Sequence, residues 1–352
     1  MTVPVQRGER SVGSAAHLVD EYLEFAAEEY LRPYIGRGGT AVKLVAVGDR
    51  ETAGRFAAGL AGLCGPDGVS GAPGSPADGR RFGFAVVDAV DTRVHMMDQL
   101  FFAIARQIDW MRLAGRVLRE AYQQAGFPAA GQDDADLTVA AVAAYHGIDT
   151  MELYRTIRRT LESSVLADAT LAHQFRIAML RLCQAHTGHT DVSPADEATV
   201  LGWLRGEKVL VSQLKAVLLH TRIARHNARP LLTSLTRWLR RAGSAGLVLH
   251  LDLARIAVVR RPAVEERDGF YYSRAAALDA YELLRQLIDA TDELEGLFVT
   301  VSLPPGLVTD ESRGLPAYSA LQLRVADEVR DRNRANPYAS LVRLDERSEA
   351  VR

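Results

Sequence analysis

The chain is poor in cysteine, carries no excess of either charge and contains no long apolar run, and each of these shortages removes a class of function. Among 352 residues there are only two cysteines, Cys64 and Cys183. Each stands alone in an apolar helical stretch, so a disulfide framework or a thiolate metal site is not expected, and a reducing compartment suits the chain. The 42 basic and 44 acidic residues give a formal net charge of -2. No global field draws such a chain to nucleic acid or to an anionic membrane, so any contact of that kind must be local. No run approaches the roughly 20 apolar residues that span a bilayer, and the polar start from Met1 to Ser11 lacks the apolar core of a signal peptide. A soluble cytoplasmic protein with no membrane partner is expected. Spacing assigns no Ser/His/Asp or Cys/His nucleophile set, which leaves a hydrolase of those types without support. No internal repeat is visible.

What is present suffices for a large core, since 48% of the residues are apolar. Helical spacing over 15–34, in A-A-H-L-V-D-E-Y-L-E-F-A-A-E-E-Y-L and onward, predicts an amphipathic first helix closed by Gly36, Gly38 and Gly39. A strand is predicted over 41–47, followed by Gly48-Asp49 and a helix over 51–63. The segment 65–80 is rich in Gly, Pro, Ser and Asp and reads as an exposed loop, after which a second strand covers 82–88. From about 94 to 243 the apolar period is helical, with breaks that divide it into about six helices. Two short apolar runs, 246–252 and 297–302, read as buried parallel strands. Between them a helix starts after the N-cap Ser273, and a weak last strand is predicted over 340–344. Strands alternating with helices give an α/β fold with a parallel sheet and a large all-helical insertion. The corresponding division is 1–92 for the first part of the core, 93–243 for the insertion and 244–352 for the second part.

The turn after the first strand is where a phosphate-binding loop would lie. Such a loop needs G-x-x-x-x-G-K-[ST], because its amides cradle phosphate, its Lys reaches the terminal phosphates and its hydroxyl holds Mg²⁺. From Gly48 the chain reads G-D-R-E-T-A-G-R. Ala53 stands at the second glycine, Gly54 at the lysine and Arg55 at the hydroxyl. Taken alone this is an ordinary strand-to-helix turn. The later run L-V-L-H-L-D has the form of a Walker B strand ending in Asp252, although neither Leu253 nor Ala254 supplies the Glu that a hydrolytic site carries there. The run F-V-T-V-S offers Thr300 and Ser302 where a sensor strand presents polar groups to the terminal phosphate.

The chain resembles the BREX-system P-loop ATP-binding proteins of bacterial anti-phage defence. The resemblance rests on E-E-Y-L-R-P-Y-I-G-R-G-G-T-A-V-K-L-V-A-V-G-D, on G-F-A-V-V-D-A-V-D-T-R, on R-I-A-R-H-N-A-R-P-L-L-T-S-L-T-R-W-L-R and on Y-Y-S-R-A-A-A-L-D-A-Y-E-L-L-R-Q-L-I-D-A-T-D-E-L-E-G-L. It implies a P-loop NTPase-like domain of the ASCE/AAA type, ATP with Mg²⁺ as its cofactor, and work among other subunits of a defence complex, with self-association open. Within that frame Gly48, Asp49, Arg50, Thr52, Gly54, Arg55 and Asp252 form a degenerate nucleotide site. The departures at Ala53, Gly54, Arg55 and Ala254 count against binding and more strongly against hydrolysis. A regulatory or scaffolding pseudo-ATPase is the leading reading, ahead of a weak ATPase in which Arg50 or Arg55 replaces the missing lysine.

Other constellations carry plainer alternatives. Cys183, His186, His189 and Asp191 have spacings that zinc can use, but the Gly188 break makes a polar helix end the simpler reading, and no metal site is assigned. Arg225, Arg229, Arg237, Arg240 and Arg241 could line a nucleic-acid backbone as a basic stripe, which gives a DNA-binding alternative. Aromatic interleaving is nearly absent there apart from Trp238, and a solvated face paired with acidic neighbours is the plainer reading of the stripe. Asp88 and Asp91 close the second strand at the edge where open α/β sheets place ligands, or they cap their loop. The run 324–334 offers arginines either to a neighbouring subunit as a finger or to a mixed-charge helix face.

Overall fold

A computed structural model describes residues 16–65, 81–129, 131, 133–134, 137–326 and 336–345. The polar start, nearly all of the Gly/Pro-rich loop and most of the late arginine run lie outside the described residues. Six strands form one sheet: β1 (His17–Leu18), β2 (Thr40–Val47), β3 (Phe82–Asp88), β4 (Gly246–Asp252), β5 (Leu297–Leu303) and β6 (Leu341–Asp345). Across the sheet the order is β1-β6-β2-β5-β4-β3, and every pairing is parallel. The near-continuous apolar runs of β4 and β5 follow from their position, because a central parallel strand is covered on both faces. All seven residues of β5 are buried.

Helices cover both faces. Helix α1 (Val19–Phe25) runs on into a π-helical turn, Ala26–Leu31, and α2 (Arg50–Cys64) packs over β2, β3 and β4. On this face Val45, Phe56, Val248, Phe298 and Val342 share one apolar cluster. Between β3 and β4 the chain is helical: α3 (Met97–Ala105), α4 (Trp110–Gln124), α5 (Val139–His146), α6 (Thr150–Leu161), α7 (His173–His186), α8 (Pro194–Arg205), α9 (Val211–Ala216) and α10 (Ala228–Arg241). These eight exceed the predicted six because the segment is cut by more caps than its glycines alone suggest. Asp109, Asp149 and Ser193 each accept a hydrogen bond from the first turn that follows, which starts α4, α6 and α8. Gly147 and Gly206 adopt the left-handed conformation that closes α5 and α8.

The chain then adds α11 (Arg274–Asp289) between β4 and β5, followed by α12 (Pro305–Thr309) and α13 (Ser319–Val325). Helix α11 starts at the N-cap Ser273, whose hydroxyl accepts from the amide of Ala276 at 3.2 Å. Ala85, Leu249, Val299 and Val301 face the second cluster, which extends through α3, α10 and α11. Helix α10 buries Leu231, Leu232, Leu235, Trp238 and Leu239, the single stripe that its sequence spacing requires. Among the described residues no helix is long and apolar enough to cross a membrane.

Candidate nucleotide site at the carboxyl edge of the sheet

Parallel α/β sheets bind ligands beyond the carboxyl ends of their strands, so the ends of β2, β3, β4 and β5 are where the predicted site residues must meet. At the end of β2 only Gly48 and Asp49 separate the strand from α2, which begins at Arg50. Asp49 is the N-cap: its Oδ1 accepts from the Thr52 amide at 2.8 Å and its Oδ2 from the Thr52 hydroxyl at 2.8 Å. These bonds, led by the one from the Thr52 amide, hold the Asp49 carboxyl below the usual carboxylate range. A helix start attracts phosphate through free amides and the positive end of its dipole. Here the protein supplies the anion itself.

The remaining members of the G-D-R-E-T-A-G-R segment lie on the helix. Ala53 is already inside α2, Gly54 has open space where a Cβ would stand, and Arg55 bonds to Asp20 of α1. No loop of phosphate-cradling length exists between Gly48 and Arg55, so a Lys and a Thr placed at Gly54 and Arg55 would extend from helical turns. Lys43, in the middle of β2, does not replace the missing lysine. Its ammonium is buried and donates to the carbonyls of Tyr338 and Ala339 at 2.6 and 2.9 Å.

Asp252 ends β4, in register with Asp88 of β3 and Ser302 of β5. Each acid caps the turn after its own strand: Asp252 Oδ1 accepts from Ala254 N at 2.8 Å and Asp88 Oδ1 from Val90 N at 2.7 Å. Burial raises the Asp252 carboxyl above its ordinary value and the charge of Asp88 adds to this, while the Ala254 amide, the Ser302 hydroxyl and Arg50 oppose it. Leu253 is buried and Ala254 exposed, so no second carboxylate follows Asp252 along the chain. The exposed Asp91 accepts from the Thr92 hydroxyl at 3.1 Å.

Thr300 and Ser302 are fully buried and face a residue that sequence reasoning passed over, His250 of β4. Its Nδ1 lies 2.9 Å from Thr300 Oγ1 and its Nε2 3.4 Å from Ser302 Oγ, and the Phe56 ring of α2 meets it edge-on at 5.7 Å. Burial pushes the His250 imidazole down to about 4. The two hydroxyls are therefore engaged beneath α2. The signal for His250 was one polar residue inside the apolar run L-V-L-H-L-D.

The arginine stripe is occupied from within the chain. Arg240 donates to Glu295 at 3.0 Å and to the carbonyls of Gly36 and Ala245 at 3.2 and 2.8 Å. Arg237 donates to the Thr170 carbonyl at 2.6 Å, and Arg241 to the Ser164 carbonyl at 2.8 Å. Arg229 pairs with Glu293 at 3.2 Å, and the more exposed Arg225 with Asp279 at 3.8 Å. These contacts make the arginines braces between α10 and its surroundings, in keeping with a face paired with acidic neighbours. Of the late run, Arg324 binds Asp289. Cys183 is buried against the Ala114 carbonyl, His186 contacts the Asp134 carbonyl at 2.5 Å, and His189 stacks on Tyr154. Among the described residues no three His, Cys, Asp or Glu side chains converge as metal ligands.

Residues 137–350 match the family described as BREX system ATP-binding protein BrxC/D. The chain belongs to this family. The matched span takes in most of the helical segment, the strand ending in Asp252, β5 and β6, and leaves out β2, the Gly48-Asp49 turn and α2. Membership in the BrxC/D family therefore rests on the part of the fold that lacks the phosphate-loop position. No curated protein and no solved structure matches the chain.

Proposed function

We propose that this member of the BREX system ATP-binding family works as a regulatory or scaffolding pseudo-ATPase. It would act among other subunits of a cytoplasmic defence complex. The observation that carries the reading is the Asp49 carboxylate on the Thr52 amide, at the helix start where a triphosphate would have to sit. Bringing phosphate there sets two anions against one dipole. The residues present do not fit Mg-ATP at this edge: no lysine or metal-binding hydroxyl stands in a loop, and Asp252 has no following Glu. The sheet order, with β5 between β2 and β4, supports an ASCE-type core, and the helices between β3 and β4 are read as its insertion. The three-part division 1–92, 93–243 and 244–352 belongs to the same reading.

The test is ATP turnover by the purified chain with and without Asp252→Ala. No release of phosphate above background is expected in either. Turnover of about 1 per second, in the range of working phosphoryl-transfer enzymes, that disappears in Asp252→Ala would overturn the reading.

A further inference from the structure

A second ligand-sized feature lies at the carboxyl side of the sheet, lined by none of the residues of the Asp49 turn. The segment after β3 and the loop between β4 and α11 enclose a cleft of about 480 Å³, a volume within the roughly 300–1,000 Å³ of small-molecule sites. Arg93 and His95 come from the first wall, and Arg261, Arg267, Phe270 and Ser273 from the second. Among the described residues no carboxylate lines it. The walls are held together by backbone: Phe270 N donates to the Val90 carbonyl at 2.7 Å, and a Cβ on Gly269 would stand 2.4 Å from that same oxygen. Only glycine permits this approach, so the closeness of the walls is fixed by the chain itself.

The charges in the cleft differ from those elsewhere in the molecule. Most of the arginines described above pair with a carboxylate, whereas Arg93, Arg261 and Arg267 form no ion pair among the described residues, Arg267 donating only to the Pro262 carbonyl at 3.5 Å. Asp268, beside Arg267 in the chain, is taken by the buried Arg255 at 2.7 Å. Arg93 stacks over the Phe270 ring at 4.8 Å, which orients its guanidinium without neutralising it. The start of the 16-residue helix α11 opens at Ser273 on the cleft wall, with no acid in its first turn. The buried Nδ1 of His95 has no hydrogen-bond partner. Three cations and a helix start free of its own anion converge on one concave surface, and planar guanidinium groups match phosphate geometry.

We infer that this cleft binds the phosphate groups of a nucleotide or nucleic-acid ligand, at a site separate from the degenerate phosphate-loop position. The two sources share the chemistry, and their length distinguishes them. A free nucleotide brings its phosphates to the arginines as a compact cluster. A strand brings one phosphate per nucleotide and continues out of the cleft, so its affinity falls with salt.

The test uses the whole chain with two probes, ATP and fluorescein-labelled 20-nucleotide oligo-dT, at low salt. Arg93→Glu with Arg267→Glu should weaken whichever probe binds by at least about tenfold, since two cations are lost and two anions gained. The distant exposed pair Arg155→Glu with Arg159→Glu on α6 makes the same change in net charge and should alter affinity by less than about twofold. Arg261→Ala, on the exposed rim, should weaken binding several-fold and covers the case in which the double reversal does not fold. For oligo-dT, replacing Arg93 and Arg267 by Ala should also lower the slope of log affinity against log salt by about 1.4 units, about 0.7 for each contact to a single strand. The inference is overturned if neither probe binds, or if the cleft reversal and the α6 reversal act alike. It is overturned too if ATP binding survives the cleft variants and is lost in Asp252→Ala, an outcome that would place nucleotide at the Asp252 edge and that removes the pseudo-ATPase reading only if turnover accompanies it. Loss of binding in the cleft variants alone leaves that reading standing.

Discussion

Two long helices begin at the carboxyl edge of the same sheet, and their surroundings carry opposite charge. Helix α2 starts at Asp49, with Asp88 and Asp252 at the ends of nearby strands and the exposed Arg50 beside them. Helix α11 starts at a neutral serine and faces Arg93, Arg261 and Arg267. Both ends offer the same backbone amides and the same dipole. What separates them is which side chain takes the first amide. In α2 a charged carboxylate takes it, filling the place that an incoming anion needs. In α11 a hydroxyl takes one amide and adds no charge. Strand–turn–helix geometry therefore does not make a phosphate site unless the cap leaves room for the phosphate.

The largest expected effect tests the acidic end from beneath. His250 is buried and neutral, with its imidazole at about 4 against an ordinary value near 6.5. A folded value below the unfolded one means that the unfolded chain binds more protons in between, so stability falls as pH drops from about 6.5 toward 4. The loss from this residue should reach about 3 kcal/mol at pH 4. Chemical denaturation at a series of pH values checks it, and His250→Gln should flatten the dependence over that window. An equal slope in wild type and His250→Gln would show that the imidazole is not what separates the two ends at low pH. Asp252 acts in the opposite sense: its raised carboxyl gains stability as pH falls through its own folded value.

A smaller effect follows at neutral pH. Asp252→Asn removes a half-buried negative charge beside Asp88 and should stabilise the protein by about 1 kcal/mol, as changes at polar edge sites often do. Arg93→Gln in the open cleft should change stability by less than about 0.5 kcal/mol. Equal thermal shifts for the two would mean that the acidic edge holds no more strain than the basic one. The smallest effect comes from exchanging caps. Asp49→Ser and Ser273→Asp should each move the thermal midpoint by no more than about 2 °C, because both residues are good N-caps. Ser273→Asp should nevertheless weaken the cleft for ATP or oligo-dT, since it gives α11 the self-supplied anion that α2 already has.

The frame of the fold was readable because its strands are short, apolar and punctuated. The strand from Phe82 to Asp88 and the run from Gly246 to Asp252 form where periodicity and flanking residues place them. So does the helix behind Ser273. The two-residue β1 was not readable, since His17–Leu18 pairs only with Leu344 and Asp345, far along the chain. At the candidate site the sequence supplied the acid ending β4 and the hydroxyls of β5, but not that His250 engages those hydroxyls. The helix predicted over 51–63 already takes in Thr52 to Arg55, and the structure agrees, but the sequence did not show that the Asp49 carboxylate occupies the Thr52 amide. The basic cleft was invisible in the linear order. Arg93 and Arg267 meet only because Gly269 lets two separate segments touch.

The sheet also sets an order of events during synthesis. Strand β2 lies between β5 and β6, and Thr40 finds its neighbour at Leu297, about 250 residues later, which is a very non-local closure for one strand pair. Strand β3 likewise waits for β4. A ribosome adding about 5–20 residues per second therefore exposes the apolar β2 for roughly ten seconds or more before either partner emerges. The first strands of this protein depend on the α1–α2 face, or on a chaperone, to stay out of wrong pairings until the last third of the chain arrives.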